Sequence, residues 1–139
     1  MFWLCFALMH KLRSHQWWLP TPLYHYQALS NDVVELELNA YPLGIRGYTD
    51  YDVLEGQLQT GDYLIFCSDG IAEAENLSGE LFGYARTEET ILQACGDGLS
   101  AEAVIDHILA VVATFGGGAP QGDDMTCVVL RVNRLNSII

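Results

Sequence analysis

The chain has 139 residues, the length of one ordinary domain built around a single core. Half of its residues (50%) are apolar and 17% are charged, with a mean hydropathy of only +0.17, a balance that excludes a disordered chain and a polytopic membrane protein. Six Lys and Arg against eighteen Asp and Glu give a formal charge of -12; such a surface repels phosphate backbones and anionic headgroups, so nucleic acid is not an expected partner.

Composition changes sharply along the chain. All eighteen acids lie between Asp32 and Asp124, whereas the first 31 residues hold all three Trp, three of the four His and two of the six basic residues. The run Met1 to Met9 is apolar but too short to span a bilayer, and its positive charges, Lys11 and Arg13, follow it. With no small-residue cleavage site after it, neither a signal peptide nor membrane insertion is expected. Residues 1–20 are read as a short surface-packed helix or, preferentially, as residues foreign to the fold.

From Pro22 the pattern is regular. Leu23 to Leu29 alternates aromatic and polar residues, Ser30-Asn31-Asp32 is turn chemistry, and Val33 to Leu38 alternates apolar residues with Glu, together a half-buried β-hairpin. Tyr41-Pro42-Leu43-Gly44 reads as a loop, and Tyr51 to Leu58 fits a strand loosely before the turn Thr60-Gly61-Asp62. Tyr63 to Cys67 (YLIFC) is a continuous apolar run, long enough for a strand covered on both faces and too short for a buried helix. Thr87 to Cys95 reads as a helix capped by Thr87 and stopped by Gly96. A second helix begins after the N-cap Ser100, carries Glu102 near its positive end, and presents Val104, Ile105, Ile108, Leu109, Val112 and Phe115 as one stripe before Gly116-Gly117-Gly118 ends it. Met125 to Val132 is β-branched and apolar, a further buried strand, and residues 134–139 form a tail.

Four cysteines, at positions 5, 67, 95 and 127, show no C-x-x-C spacing, and Cys67 and Cys127 sit in strand-like runs as small core residues. A reducing, cytoplasmic compartment is the expectation.

The informative acids are those that interrupt apolar strands. Asp69 follows the buried strand within Ser68-Asp69-Gly70, where Gly70 lets the backbone turn away, and Asp123-Asp124 precede the last strand. If Tyr63 to Cys67 and Met125 to Val132 pair antiparallel, Asp69 meets Asp123 or Asp124 at one sheet edge; a parallel pairing separates them. Carboxylates brought together draw in a cation, and all-oxygen ligation selects hard ions such as Mg²⁺ or Mn²⁺. On these residues alone a solvated Asp-Gly turn and an edge-protecting Asp pair stand level with that reading. A zinc site, a Ser-His-Asp elbow and a phosphate-cradling loop are not expected from the spacings present.

The run Gly61-Asp62-Tyr63-Leu64-Ile65-Phe66-Cys67-Ser68-Asp69-Gly70-Ile71-Ala72-Glu73-Ala74-Glu75-Asn76, followed by Gly79-Glu80 and Phe82-Gly83, resembles a segment of the SpoIIE/RsbU branch of the PPM metal-dependent serine/threonine phosphatases. Ala119-Pro120-Gln121-Gly122-Asp123-Asp124-Met125-Thr126 is similar to that branch's closing segment, and Tyr41-Pro42-Leu43-Gly44-Ile45 to its Pro-Leu-Gly-Ile segment. The likeness runs from about residue 22 to residue 132. It implies an α/β (α+β) sandwich of antiparallel sheets flanked by helices, with a two-metal Mn²⁺ or Mg²⁺ centre at one end. Asp69 and Asp123 correspond to catalytic metal ligands, with Gly70 and Asp124 as supporting residues. The implied reaction is attack on the phosphoester by a metal-activated water. The implied substrates are phosphoserine or phosphothreonine on anti-anti-sigma-type regulatory proteins of bacterial partner switching.

One departure stands beside the match. The family's amino-terminal half supplies an Asp-x-x-Gly-h-Gly segment whose Asp bridges the metals, and the Asp-Gly pairs of this chain are Asp69-Gly70 and Asp97-Gly98. His15-Gln16-Trp17-Trp18 stands where the family has Asn-Ala-Gly-His. The resemblance thus implies the carboxyl-terminal part of the domain over residues 21–133, its amino-terminal half missing, an incomplete metal site, and exposed strand faces that favour self-association. Two functions follow: a metal-dependent phosphoprotein phosphatase of which this chain carries two metal ligands, or a non-catalytic interaction module derived from one.

Overall fold

A computed structural model of the chain describes residues 2–6, 22–36 and 54–133. The Tyr41-Pro42-Leu43-Gly44 loop, most of residues 1–20 and the tail 134–139 lie outside the described residues. Six strands, β1 (Phe2–Phe6), β2 (Leu23–Gln27), β3 (Asp32–Leu36), β4 (Leu54–Leu58), β5 (Tyr63–Cys67) and β6 (Cys127–Arg131), combine with three helices, α1 (Asp69–Ala72), α2 (Gly83–Gly96) and α3 (Ala101–Gly116). The main sheet runs β3-β2-β5-β6 with every neighbour antiparallel, and β1 pairs with β4 in a separate antiparallel ribbon. Phe2–Phe6 is therefore a strand rather than the surface helix that its composition allows.

Alternation along the central strands sorts their side chains onto two faces. Tyr24 and Tyr26 of β2, Val33 of β3 and Tyr63, Ile65 and Cys67 of β5 form one core with Ile91, Ala94 and Cys95 of α2 and Val104, Ile108 and Val112 of α3. Ile65 is fully buried, which is worth about 1.5–3 kcal/mol for a side chain of that size. Tyr63 ties the layers together: its ring meets Tyr26 edge-on at 5.7 Å and its hydroxyl donates to the Leu99 carbonyl, 2.6 Å away, in the turn between the two long helices. Leu64, also buried, belongs to the opposite face of β5, so this strand is covered on both sides as the unbroken apolar run predicts.

Several boundaries differ from the sequence expectation for identifiable reasons. The hairpin is present, but β2 is buried along nearly its whole length, and only β3 shows the half-buried alternation. Helix α2 starts at Gly83, whose φ is +81°, four residues before the expected cap. Thr87 lies buried inside it and donates its hydroxyl to the Gly83 carbonyl at 2.9 Å, so its capping chemistry is spent on the preceding turn. Helix α3 matches its signals: Ser100 Oγ accepts from Ala103 N, and Gly117, at φ +57°, ends it left-handed. Strand β6 is not the fully buried strand expected. It lies at one edge of the described sheet, with Val128 47% and Leu130 44% exposed.

The turn entering β5 is fixed by one buried carboxylate. Asp62 accepts from Ala28 N at 2.9 Å, from Gln59 N at 2.8 Å and from His25 Nε2 at 3.1 Å, joining the β2–β3 turn, the end of β4 and the sheet. Gly61 beside it sits at φ +98°, and a Cβ there would stand 3.1 Å from Ala28 Cβ. Asp62→Ala is expected to destabilise the chain by about 2–3 kcal/mol, because partly buried N–H groups lose their acceptor. Urea unfolding measures this, and an unchanged midpoint would contradict it.

Candidate metal centre

The antiparallel register of β5 and β6 sets Cys67 opposite Cys127. The strands therefore end and begin at the same edge of the sheet, which settles the open alternative in favour of the arrangement that brings the acids together. Beyond the last pair, Ser68 N donates to the Thr126 carbonyl at 2.8 Å. The Ser68 hydroxyl donates to the Asp124 carbonyl at 3.1 Å and accepts from Thr126 N at 2.9 Å. One serine side chain thus bridges the two segments that carry the acids. Sequence reasoning gave it no role, although it stands in the same tripeptide as Asp69.

Asp69 opens the single-turn helix α1, exposed, while Gly70, Ile71 and Ala72 behind it are buried. Gly70 N donates to Asp69 Oδ1 at 3.0 Å. On the facing segment Asp124 N donates to Asp123 Oδ1 at 2.7 Å, and Gln121 Nε2 donates to the Asp123 carbonyl at 2.8 Å. Each carboxylate is thus oriented through one oxygen by the backbone N–H of the next residue. Asp123 is partly buried, Asp124 is exposed, and both line an open polar depression with Gln121 and Gly122.

Gly70 is required for a reason other than the turning freedom inferred from sequence. A Cβ on it would stand 2.5 Å from the Asp124 carbonyl oxygen and 3.6 Å from the Asp123 carbonyl carbon, so the two loops touch through the hydrogen that glycine alone offers. Asp69 and Asp123 therefore sit on backbones packed directly together.

The donor set is partial. Among the described residues no group of three or more His, Cys, Asp or Glu side chains could hold a metal ion. Two carboxylates fall short of the roughly six oxygen ligands that a Mg²⁺-type ion takes, so the described residues do not by themselves fit a two-metal centre. Other acids sit elsewhere: Glu73 and Glu75 are exposed after α1, and Asp97 caps the end of α2.

Behind the acids lies a pair of thiols. Cys67 Sγ and Cys127 Sγ are 3.9 Å apart. Their mutual hydrogen bond, then burial, push the Cys67 thiol up, and the same hydrogen bond lowers Cys127.

Comparison with known proteins agrees with this layout. The family model described as Stage II sporulation protein E (SpoIIE) matches residues 20–133. Among solved structures, the PP2C phosphatase domain of SpoIIE from Bacillus subtilis with a fragment of its regulatory domain is 27% identical, with a TM-score of 0.61 over 81% of this chain and 31% of that one. The SpoIIE phosphatase domain in a crystal form without domain swapping is 26% identical, with a TM-score of 0.57 over 82% of this chain and 47% of that one. The SiaA-PP2C domain of Pseudomonas aeruginosa shares the fold at 23% identity and a TM-score of 0.65, covering 79% of this chain and 42% of that one. The chain spans less than half the length of these structures. No curated protein matches it. None of the helices among the described residues is long and apolar enough to cross a membrane.

Gly70→Ala is expected to cost about 1–3 kcal/mol, because backbone rather than a flexible side chain blocks the new methyl. Gly122→Ala, whose Cβ meets nothing within 4 Å, serves as the control. Equal unfolding midpoints for the two variants would show that the loops are not packed as described.

Proposed function

The chain belongs to the Stage II sporulation protein E (SpoIIE) family, and from that membership we propose that it acts in a metal-dependent phosphoprotein phosphatase of the SpoIIE type. The proposed substrate is a phosphoserine or phosphothreonine of an anti-anti-sigma-type regulatory protein, in cytoplasmic partner switching in bacteria. The observation that carries this reading is the direct packing of the Asp69 loop on the Asp123-Asp124 loop at one sheet edge. Asp69 and Asp123 would hold Mn²⁺ or Mg²⁺ together with donors beyond the described residues. Both ions accept such oxygen donors. Such a metal would supply an activated water and would neutralise charge on the phosphoryl oxygens. The part of this chain is positional: Gly70 N and Asp124 N orient the two carboxylates, and Ser68 holds their loops together.

A second reading is a non-catalytic module that docks a partner. It is favoured by the exposed Leu77 (75%) and Leu81 (49%) around the loop that follows α1. Asn76 Oδ1 accepts from Ser78 N and Glu80 N there, and Arg86 donates to the Leu81 and Phe82 carbonyls, so these leucines stand on an ordered base.

Phosphate release from a phosphoserine peptide, followed with and without Mn²⁺, separates the two. The phosphatase reading expects Mn²⁺-dependent release that falls by at least about 100-fold in Asp69→Asn and in Asp123→Asn, beyond the range that changes in outer-shell partners give. Metal-independent binding of the peptide with no release in the parent chain would favour the docking module instead.

A further inference from the structure

Cys67 and Cys127 are direct cross-strand partners. The flanking hydrogen bonds, Ser68 N to the Thr126 carbonyl on one side and Val132 N to the Asp62 carbonyl at the far end, place the pair at a non-hydrogen-bonded position of the ladder. Cα atoms at such positions are about 4.5 Å apart, inside the roughly 4.4–6.8 Å window that a disulfide accepts. The sulfurs are already at 3.9 Å on one face of the sheet. Rotation of the two side chains brings the sulfurs toward bonding distance. Access is unequal: Cys67 is buried, whereas Cys127, on the edge strand, is partly exposed. The remaining thiols are placed differently. Cys95 is buried on α2, and Cys5 belongs to β1 in the separate ribbon.

We propose that Cys67 and Cys127 form a reversible cross-strand disulfide when the chain meets a peroxide, stapling β5 to β6 directly behind the loops that carry Asp69 and Asp123. Cys127 sulfur attacks one peroxide oxygen, the O–O bond breaks, and the departing oxygen takes the thiol proton and leaves as water. Cys67 sulfur then displaces the hydroxyl from the resulting sulfenic acid, and the second water carries away the Cys67 proton. Two thiols and one hydrogen peroxide become one disulfide and two waters, and a dithiol reductant reverses the change. In a reducing compartment such a bond is transient, the regime in which disulfides act as sensors. Oxidation adds a covalent link between strand ends that hydrogen bonds and backbone packing join in the reduced chain, two residues before Asp69 and four after Asp123.

The test is made on the reduced full chain, treated with hydrogen peroxide under native conditions, alkylated, digested and mapped by mass. The expected result is a single cross-linked pair of peptides containing Cys67 and Cys127, lighter by two hydrogens and restored by dithiothreitol. Cys95→Ser should form the same link. Links that involve Cys5 or Cys95, or sulfinic acid at Cys127 with no cross-link, would overturn the proposal. Because the link is read by mass, its failure is separate from any failure of the phosphatase reading.

Discussion

Strand β5 governs the rest of the structure through its antiparallel pairing with β6, because the register that sets Cys67 opposite Cys127 also decides which loops meet. Had the strands run parallel, Asp69 and Asp123 would stand at opposite ends of the sheet. Antiparallel pairing puts them at one edge, and the ladder continues past the strands through Ser68 and Thr126 until the Gly70 backbone meets the Asp124 carbonyl. The two loops that carry these acids are packed together on an acidic chain of formal charge -12. The two loops are held by hydrogen bonds through Ser68 and by tight backbone contact at Gly70.

Both ends of β5 are built from short motifs of glycine and aspartate, used in opposite ways. At the entry Asp62 is buried, and its carboxylate accepts from two backbone N–H groups and His25, so its charge is spent on structure. At the exit Asp69 is exposed, and one backbone N–H orients it. The glycines differ too: Gly61 is needed for its positive φ, Gly70 for the missing Cβ. The entry residues fix the frame, and the exit residues present chemistry on it.

Much of this was legible in the residues. Alternation in Leu23 to Leu29 and Val33 to Leu38 marked the hairpin, the unbroken apolar run of Tyr63–Cys67 marked the central strand, and Ser100 marked the start of α3. Thr87 misled because a threonine before two glutamates reads as a cap whether its hydroxyl faces forward to free N–H groups or back to the preceding turn. Strand β6 misled because apolar composition does not reveal whether a strand is central or at an edge, which only the sheet order decides. That the Asp69 loop lies at the same sheet edge as Asp123 and Asp124 followed from strand order under one assumption about direction. Ser68 as the bridge and the contact of Gly70 with Asp124 could not follow from it, since both depend on loop coordinates that no periodicity encodes.

The proposed role of the Asp69 and Asp123 loops is to form one cation-binding edge together with donors beyond the described residues. Paramagnetic broadening of amide signals in the isotope-labelled chain, as Mn²⁺ is added, tests it most directly. The account predicts that the amides of residues 68–70 and 122–126 broaden together at the lowest Mn²⁺ concentrations, while those of β2, β3 and α3 remain sharp. Broadening centred on other acids, such as Glu88 and Glu89 of α2, with the Asp69 and Asp123 loops left sharp, would contradict it.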